Sequence, residues 1–74
     1  MSNKKDNNHL QYIYRGTYQK RTVRQHVVTD KGKEVAERTA RNRLCHYLEC
    51  QWPDLKDFKL IIINDMEGNT VEEN

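Results

Sequence analysis

The sequence predicts an α+β fold: a three-stranded antiparallel sheet with one α-helix packed on one face. The element order is strand, strand, helix, strand (ββαβ). Three observations predict it. Two runs rich in β-branched and aromatic residues, Leu10-Gln-Tyr-Ile-Tyr-Arg15 and Thr22-Val-Arg-Gln-His-Val-Val-Thr29, stand close together. A stretch with helical apolar spacing follows them. Phe58-Lys59-Leu60-Ile61-Ile62-Ile63 is then an apolar run of strand length.

The first strand places Leu10, Tyr12 and Tyr14 on one face and Ile13 and Arg15 on the other, because successive side chains alternate. Gly16 marks a bulge or the start of the turn region. Gln19-Lys20-Arg21 is the expected hairpin tip. In the second strand Val23, Gln25 and Val27 alternate against Arg24, His26 and Val28. Thr29-Asp30-Lys31-Gly32 reads as a turn in which Thr29 or Asp30 caps the helix.

The helix is expected over Lys33 to Gln51. Ala36, Ala40, Leu44, Tyr47, Leu48 and Gln51 fall on one stripe with core-facing spacing. Glu34 with Arg38 and Glu37 with Arg41 are i, i+4 pairs marking the solvated side. Pro53 is expected to end the helix, since the residue before a proline is pushed out of the α region. Trp52 is expected to close the bottom of the core. The last strand is expected beside the first, in the order 2-1-3, with a place beside the second as the alternative. The first order puts the aromatic strand in the centre of a two-layer domain.

Met1 to Asn8 is polar and without apolar period, and Met66 to Asn74 is rich in Glu, Gly and Asn; both read as loose tails around a single domain of residues 9–65. No apolar run approaches the ~20 residues that span a bilayer, and Lys4, Lys5 and Asp6 occupy the place of a signal-peptide core. A cytoplasmic protein without membrane contact is expected. Cys45 and Cys50 would lie about 140° apart on a continuous helix, so they read as free thiols.

The apolar last strand carries the strongest functional expectation. Phe58, Leu60 and Ile62 should face one way and Ile61 and Ile63 the other. A strand apolar on both faces is normally covered on both. One helix covers one face, so a second copy or a larger partner is expected on the other. The open face is expected to carry Ile13 plus either Ile61 and Ile63 or Leu60 and Ile62, and Ile13, Ile61 and Ile63 are the residues expected to mediate self-association as a homodimer.

Charge adds a second expectation. Residues 1–43 carry eleven Lys/Arg and four Asp/Glu, a net +7, whereas residues 44–74 carry two and seven, a net −5. Such a molecule can meet an anionic partner with its basic pole. Arg15, Lys20, Arg21 and Arg24 cluster around the hairpin tip near Tyr18, and Arg38 and Arg41 on the helix could extend that patch toward a nucleic acid or a nucleoprotein. Tyr12 and Tyr14 could stack bases on an open sheet, but a small domain needs their area in its core.

Catalysis has little support. Ser2 is the only serine, and Gly16, Gly32 and Gly68 are scattered rather than gathered in a phosphate-cradling loop. Asp54, Asp57 and Asp65 read as solvated charges. Cys45, His46, Glu49 and Cys50 lack the second short ligand pair that a structural zinc site uses, and Cys45 lacks the setting of a nucleophile. Neither an enzyme, a metal, a cofactor nor a small-molecule substrate is expected.

The layout as a whole resembles that of very small phage and mobile-element proteins, anti-CRISPR proteins among them. The pieces that carry the resemblance are Tyr12-Ile-Tyr14, Val35-Ala36 with Ala40, Trp52-Pro53 and Phe58 to Ile63. It implies a non-enzymatic module that occupies, and thereby inhibits, a surface of a larger protein or nucleoprotein machine. It carries no site residues over. The slightly positive net charge departs from the strongly acidic anti-CRISPRs that mimic DNA.

Overall fold

The computed structural model describes residues 9–73. The expected N-terminal tail therefore lies outside the described residues. The chain forms β1 (Leu10–Tyr18), β2 (Arg21–Thr29), α1 (Lys33–Leu48), a single 3-10 turn (Trp52–Asp54), β3 (Lys56–Asn64) and β4 (Thr70–Glu73). All pairings are antiparallel and the sheet order is β2-β1-β3-β4. The α+β class and the 2-1-3 core of the sheet are as the sequence predicts. The fourth strand is not.

That strand comes from the segment expected to be an acidic tail. Asp65 makes the turn. Its carboxylate accepts the backbone N–H groups of Glu67 and Asn69 at 2.9 and 2.8 Å, and its own N–H donates to the Asn69 carbonyl at 2.8 Å. Gly68 takes the left-handed conformation (φ 91°) that closes the loop. Thr70, Glu72 and Glu73 then pair with Asn64, Ile63 and Ile62 of β3, and Val71 is left out at a register shift. The acidic composition concealed a turn of Asp-x-x-Gly type, in which an Asp folds back on its own backbone.

β1 and β2 are joined by a two-residue turn. Gln19 and Lys20 both have positive φ, 51° and 67°. The twist of a hairpin demands this geometry, and Asn-Gly usually supplies it.

The helix ends earlier than Pro53 would dictate. Glu49 takes a left-handed conformation (φ 58°), and the Cys50 N–H folds back to the Cys45 carbonyl at 2.9 Å. Pro53 instead sits in the 3-10 turn. At the other end Gly32 is the cap residue, with no side-chain cap bond, while Thr29 Oγ1 accepts the Lys31 N–H at 3.1 Å. So neither Thr29 nor Asp30 caps the helix. Tyr47 and Gln51, both expected in the core stripe, are exposed, Tyr47 to 82%. The helix terminates before Gln51 can continue the stripe, and Cys45 takes the buried place beside Leu44.

Ala36 and Ala40 are fully buried against the sheet. Their small side chains let the helix lie close, and the Tyr14 hydroxyl reaches across to donate to the Lys33 carbonyl at 3.1 Å. Tyr12, Tyr14, Val27 and Ile63 complete this part of the core. Burying a large side chain of this kind is worth ~1.5–3 kcal/mol relative to leaving it exposed. Leu44, Cys45 and Leu55 form a second cluster under the helix end, packed by Tyr18, Val23, Leu48 and Phe58.

β3 departs from simple alternation twice. Ile13 pairs with Ile62 and the next residue, Tyr14, pairs with Leu60, so Ile61 is an extra residue. A second shift falls between Arg15 and Thr17, where Asp57 has φ 54°. A bulge moves all later side chains to the other face. Ile63, Leu60 and Phe58 therefore all turn toward the helix. Gly16 makes room for this arrangement: a Cβ there would stand 3.1 Å from the Phe58 ring. Phe58 lies flat on Tyr14, with centroids 5.3 Å apart and planes 2° from parallel.

Candidate nucleic-acid interface

The sheet face away from the helix is where the expected site residues meet. On β1, Tyr12 and Tyr14 face the core, so Gln11, Ile13 and Arg15 face outward. On β2, Val27 faces the core, so Arg24, His26 and Val28 face outward. Register then aligns these residues in rows. Arg15 pairs with Arg24 on one side and with Lys59 on the other. Three cations thus stand side by side across three strands, and all three residues are exposed. Like charges placed directly opposite destabilise a sheet unless something anionic lies against them.

The described ion pairs are Lys31–Asp30, Lys33–Glu72 and Arg41–Glu37. None involves the row, and among the described residues no carboxylate pairs with Lys20 or Arg21 at the hairpin tip. Asp57 and Glu73 lie at the margins of the shallow depressions beside Arg15 and Lys59. The row forms an uncompensated basic patch on the open face; Arg21 pairs with Tyr18 and shares the helix-side parity of Val23 and Val27, so it does not stand in that row.

The adjacent row is His26, Ile13 and Ile62, with Glu73 beyond on β4. His26 Nε2 is 2.9 Å from Gln11 Oε1. Ile13, Ile61 and Ile62 are half-buried. Ile63, expected on this open face, is instead 3% exposed and sits in the core beside Tyr12. The bulge at Ile61 is the reason. Ile62 takes the open-face place beside Ile13 that unbroken alternation would give to Ile63.

Arg38 and Arg41 do not extend the basic patch. They project from the helix, which covers the opposite face. Arg41 is also engaged: its guanidinium lies 5.1 Å from the Trp52 ring centroid and 4.8 Å from that of Phe58, and it pairs with Glu37 at 3.1 Å. Trp52, expected to close the core, is 44% exposed, and its indole N–H donates to Asn42 Oδ1 at 2.8 Å. The arginine between the two rings closes that end of the domain instead. Arg38 is exposed beside a surface notch with Glu34, Glu37 and Trp52.

Tyr12 and Tyr14 lie under the helix and are closed to a partner. Burial, then Glu37 and Tyr12, push the Tyr14 hydroxyl up to about 12, so it remains a neutral donor. Sequence reasoning missed Lys59. Its neighbours are apolar, and only the β1–β3 register brings it beside Arg15. An isolated lysine inside an isoleucine-rich strand was the available signal.

Among the described residues no helix is long and apolar enough to cross a membrane, and no group of three or more His, Cys, Asp or Glu could hold a metal ion. No protein-family model matches the chain, and no curated protein and no solved structure matches it. The fold class is that of a small α+β protein with one helix and a four-stranded antiparallel sheet.

Proposed function

We propose that this protein is a non-enzymatic binding module that lays its open sheet face and basic hairpin on the phosphate backbone of a nucleic acid, free or within a nucleoprotein. One observation carries this reading: the cross-strand row Arg24–Arg15–Lys59, without carboxylate partners among the described residues. A polyanion is the partner that turns such a row from a cost into a gain. The hairpin tip supports it. Lys20 occupies a left-handed position where glycine would be less strained, and strain at an exposed cation fits a residue kept for its charge.

The test is a fluorescence-anisotropy titration with duplex and single-stranded oligonucleotides between low and physiological salt. Binding should weaken steeply as salt rises. Replacing Arg15, Arg24 and Lys59 together with Ala should flatten the salt slope by about 2.7 for duplex DNA, if each cation neutralises one phosphate. Unchanged slope and affinity in a folded triple variant reject the interface. Lys20→Gly should weaken binding while relieving the turn.

A second reading, homodimerisation through the same face, is favoured by the half-buried Ile13, Ile61 and Ile62. It would place the unpaired row at an interface, where desolvating cations is costly. Ile13→Glu should then halve the mass measured by light scattering. A wild-type mass equal to the monomer discards this second reading and leaves the first standing.

A further inference from the structure

Cys45 and Cys50 become neighbours through the way the helix ends. On a continuing helix they would point in different directions. Here Glu49 reverses the chain: the Cys50 N–H donates to the Cys45 carbonyl at 2.9 Å and the Glu49 N–H to the His46 carbonyl at 3.3 Å. This is the pair of bonds of a Schellman motif, in which the first and sixth residues make a side-chain contact. Here those two residues are Cys45 and Cys50, whose thiols are within hydrogen-bonding reach of each other. Cys45 is buried with Leu44 and Leu55, and Cys50 packs against the same cluster half-exposed. Both thiols are free.

We propose that Cys45 and Cys50 form a reversible dithiol site that exchanges with a small-molecule disulfide of the glutathione type. The half-exposed Cys50 attacks first. Its thiolate sulfur bonds to one sulfur of oxidised glutathione, the glutathione S–S bond breaks, and one glutathione leaves as a thiolate that takes up a proton. The Cys45 thiol then gives up its proton and attacks the Cys50 sulfur. The mixed disulfide breaks and the second glutathione leaves. Two protein thiols are oxidised, one glutathione disulfide is reduced to two thiols, and nothing else is consumed.

The order of attack follows from access. Burial pushes the Cys45 thiol up, and so does the Cys50 thiol that hydrogen-bonds to it, whereas Arg41 pulls it partly back. A raised and covered thiol is a poor first nucleophile. It is an effective second one, because the motif holds its target in contact. The product cross-links the last helical turn to the reversed chain, at an end held by a non-glycine residue in a left-handed conformation (φ 58°). Oxidation would thus secure the seat of the helix C-terminus on Leu55.

The experiment treats the whole protein with oxidised glutathione, quenches by alkylation and reads intact mass. The expected product has lost two hydrogens and carries no glutathione. Cys45→Ser should stall with one glutathione on Cys50. Cys50→Ser should react at least about tenfold more slowly, because its remaining thiol is buried. A wild-type protein that keeps the glutathione adduct, or that fails to react while both thiols alkylate in urea, overturns the proposal. The same oxidation run in urea guards against a misfolded variant. Ring closure as fast in the unfolded chain as in the folded one would show that the helix end does not pair the thiols, and would also overturn it.

Discussion

The two faces of the sheet are built from alternate residues of the same strands, yet they differ in almost every property. Toward the helix stand Tyr12, Tyr14, Val27 and Ile63, all buried. Away from it, one step along each strand, stand Ile13, Arg15, Arg24, His26, Lys59 and Ile62. The covered face is largely apolar, and its Tyr14 hydroxyl donates to the Lys33 carbonyl. The open face grades from half-buried isoleucines into an unpaired basic strip. A single bulge at Ile61 divides them, because it lets Phe58, Leu60 and Ile63 all reach the helix side. A run of isoleucines thus need not make a strand apolar on both faces when one extra residue resets its parity.

The largest test of that division compares neighbours. Ile63→Ala should cost about 2–5 kcal/mol, as for other buried large-to-small changes. Ile62→Ala, one residue away on the open face, should cost well under half of that. Urea denaturation of both variants decides the matter: equal losses would mean that the bulge does not set the faces.

A smaller effect sharpens the covered face. Tyr14→Phe keeps the ring stack on Phe58 but removes the bond to the Lys33 carbonyl, and should cost about 1 kcal/mol. It should also alter alkaline behaviour. The folded Tyr14 hydroxyl is raised to about 12 from an ordinary 10.0, so ionisation favours the unfolded chain. Its contribution is complete below pH ~10 and is lost as pH climbs toward ~12. Thermal melts of wild type and Tyr14→Phe should therefore differ most near neutral pH and converge in that window. Parallel curves would reject the assignment.

The smallest effect belongs to the edge that the open face depends on. The backbone N–H of Asn69 holds the Asp65 carboxyl below the usual carboxylate range; desolvation opposes it, and the Glu67 N–H, the Asn69 side chain and the Gly68 N–H add to the lowering. A depressed folded value stabilises above the ordinary carboxylate range and fades as pH falls through the folded value. Asp65→Ala should loosen β4 in hydrogen exchange at neutral pH and make no difference in strong acid. Unchanged protection of Thr70–Glu73 would show that the turn does not depend on this carboxylate.

Much of the fold was legible from periodicity. The hairpin, the helix start at Lys33 and the 2-1-3 order follow from alternation, helical spacing and turn residues. What was not legible has a physical cause in each instance. Glu49 and Lys20 take left-handed conformations that their side chains disfavour, so no propensity announces them. β4 hid in acidic composition because its turn is made by one carboxylate rather than by a Gly or Pro cluster. Of the candidate site, Arg15, Lys20, Arg21 and Arg24 were visible as a local cluster. Lys59 was not, because it joins them only through long-range register.

Local chemistry was sufficient to specify an amphipathic helix, a hairpin with a basic tip and an apolar last strand, since each depends on residues a few positions apart. Which side of that last strand meets the core, whether Arg41 is free or clasped between rings, and which cations stand in one row were settled only by assembly. Those properties depend on pairing between distant segments, and one inserted residue in one strand is enough to exchange them.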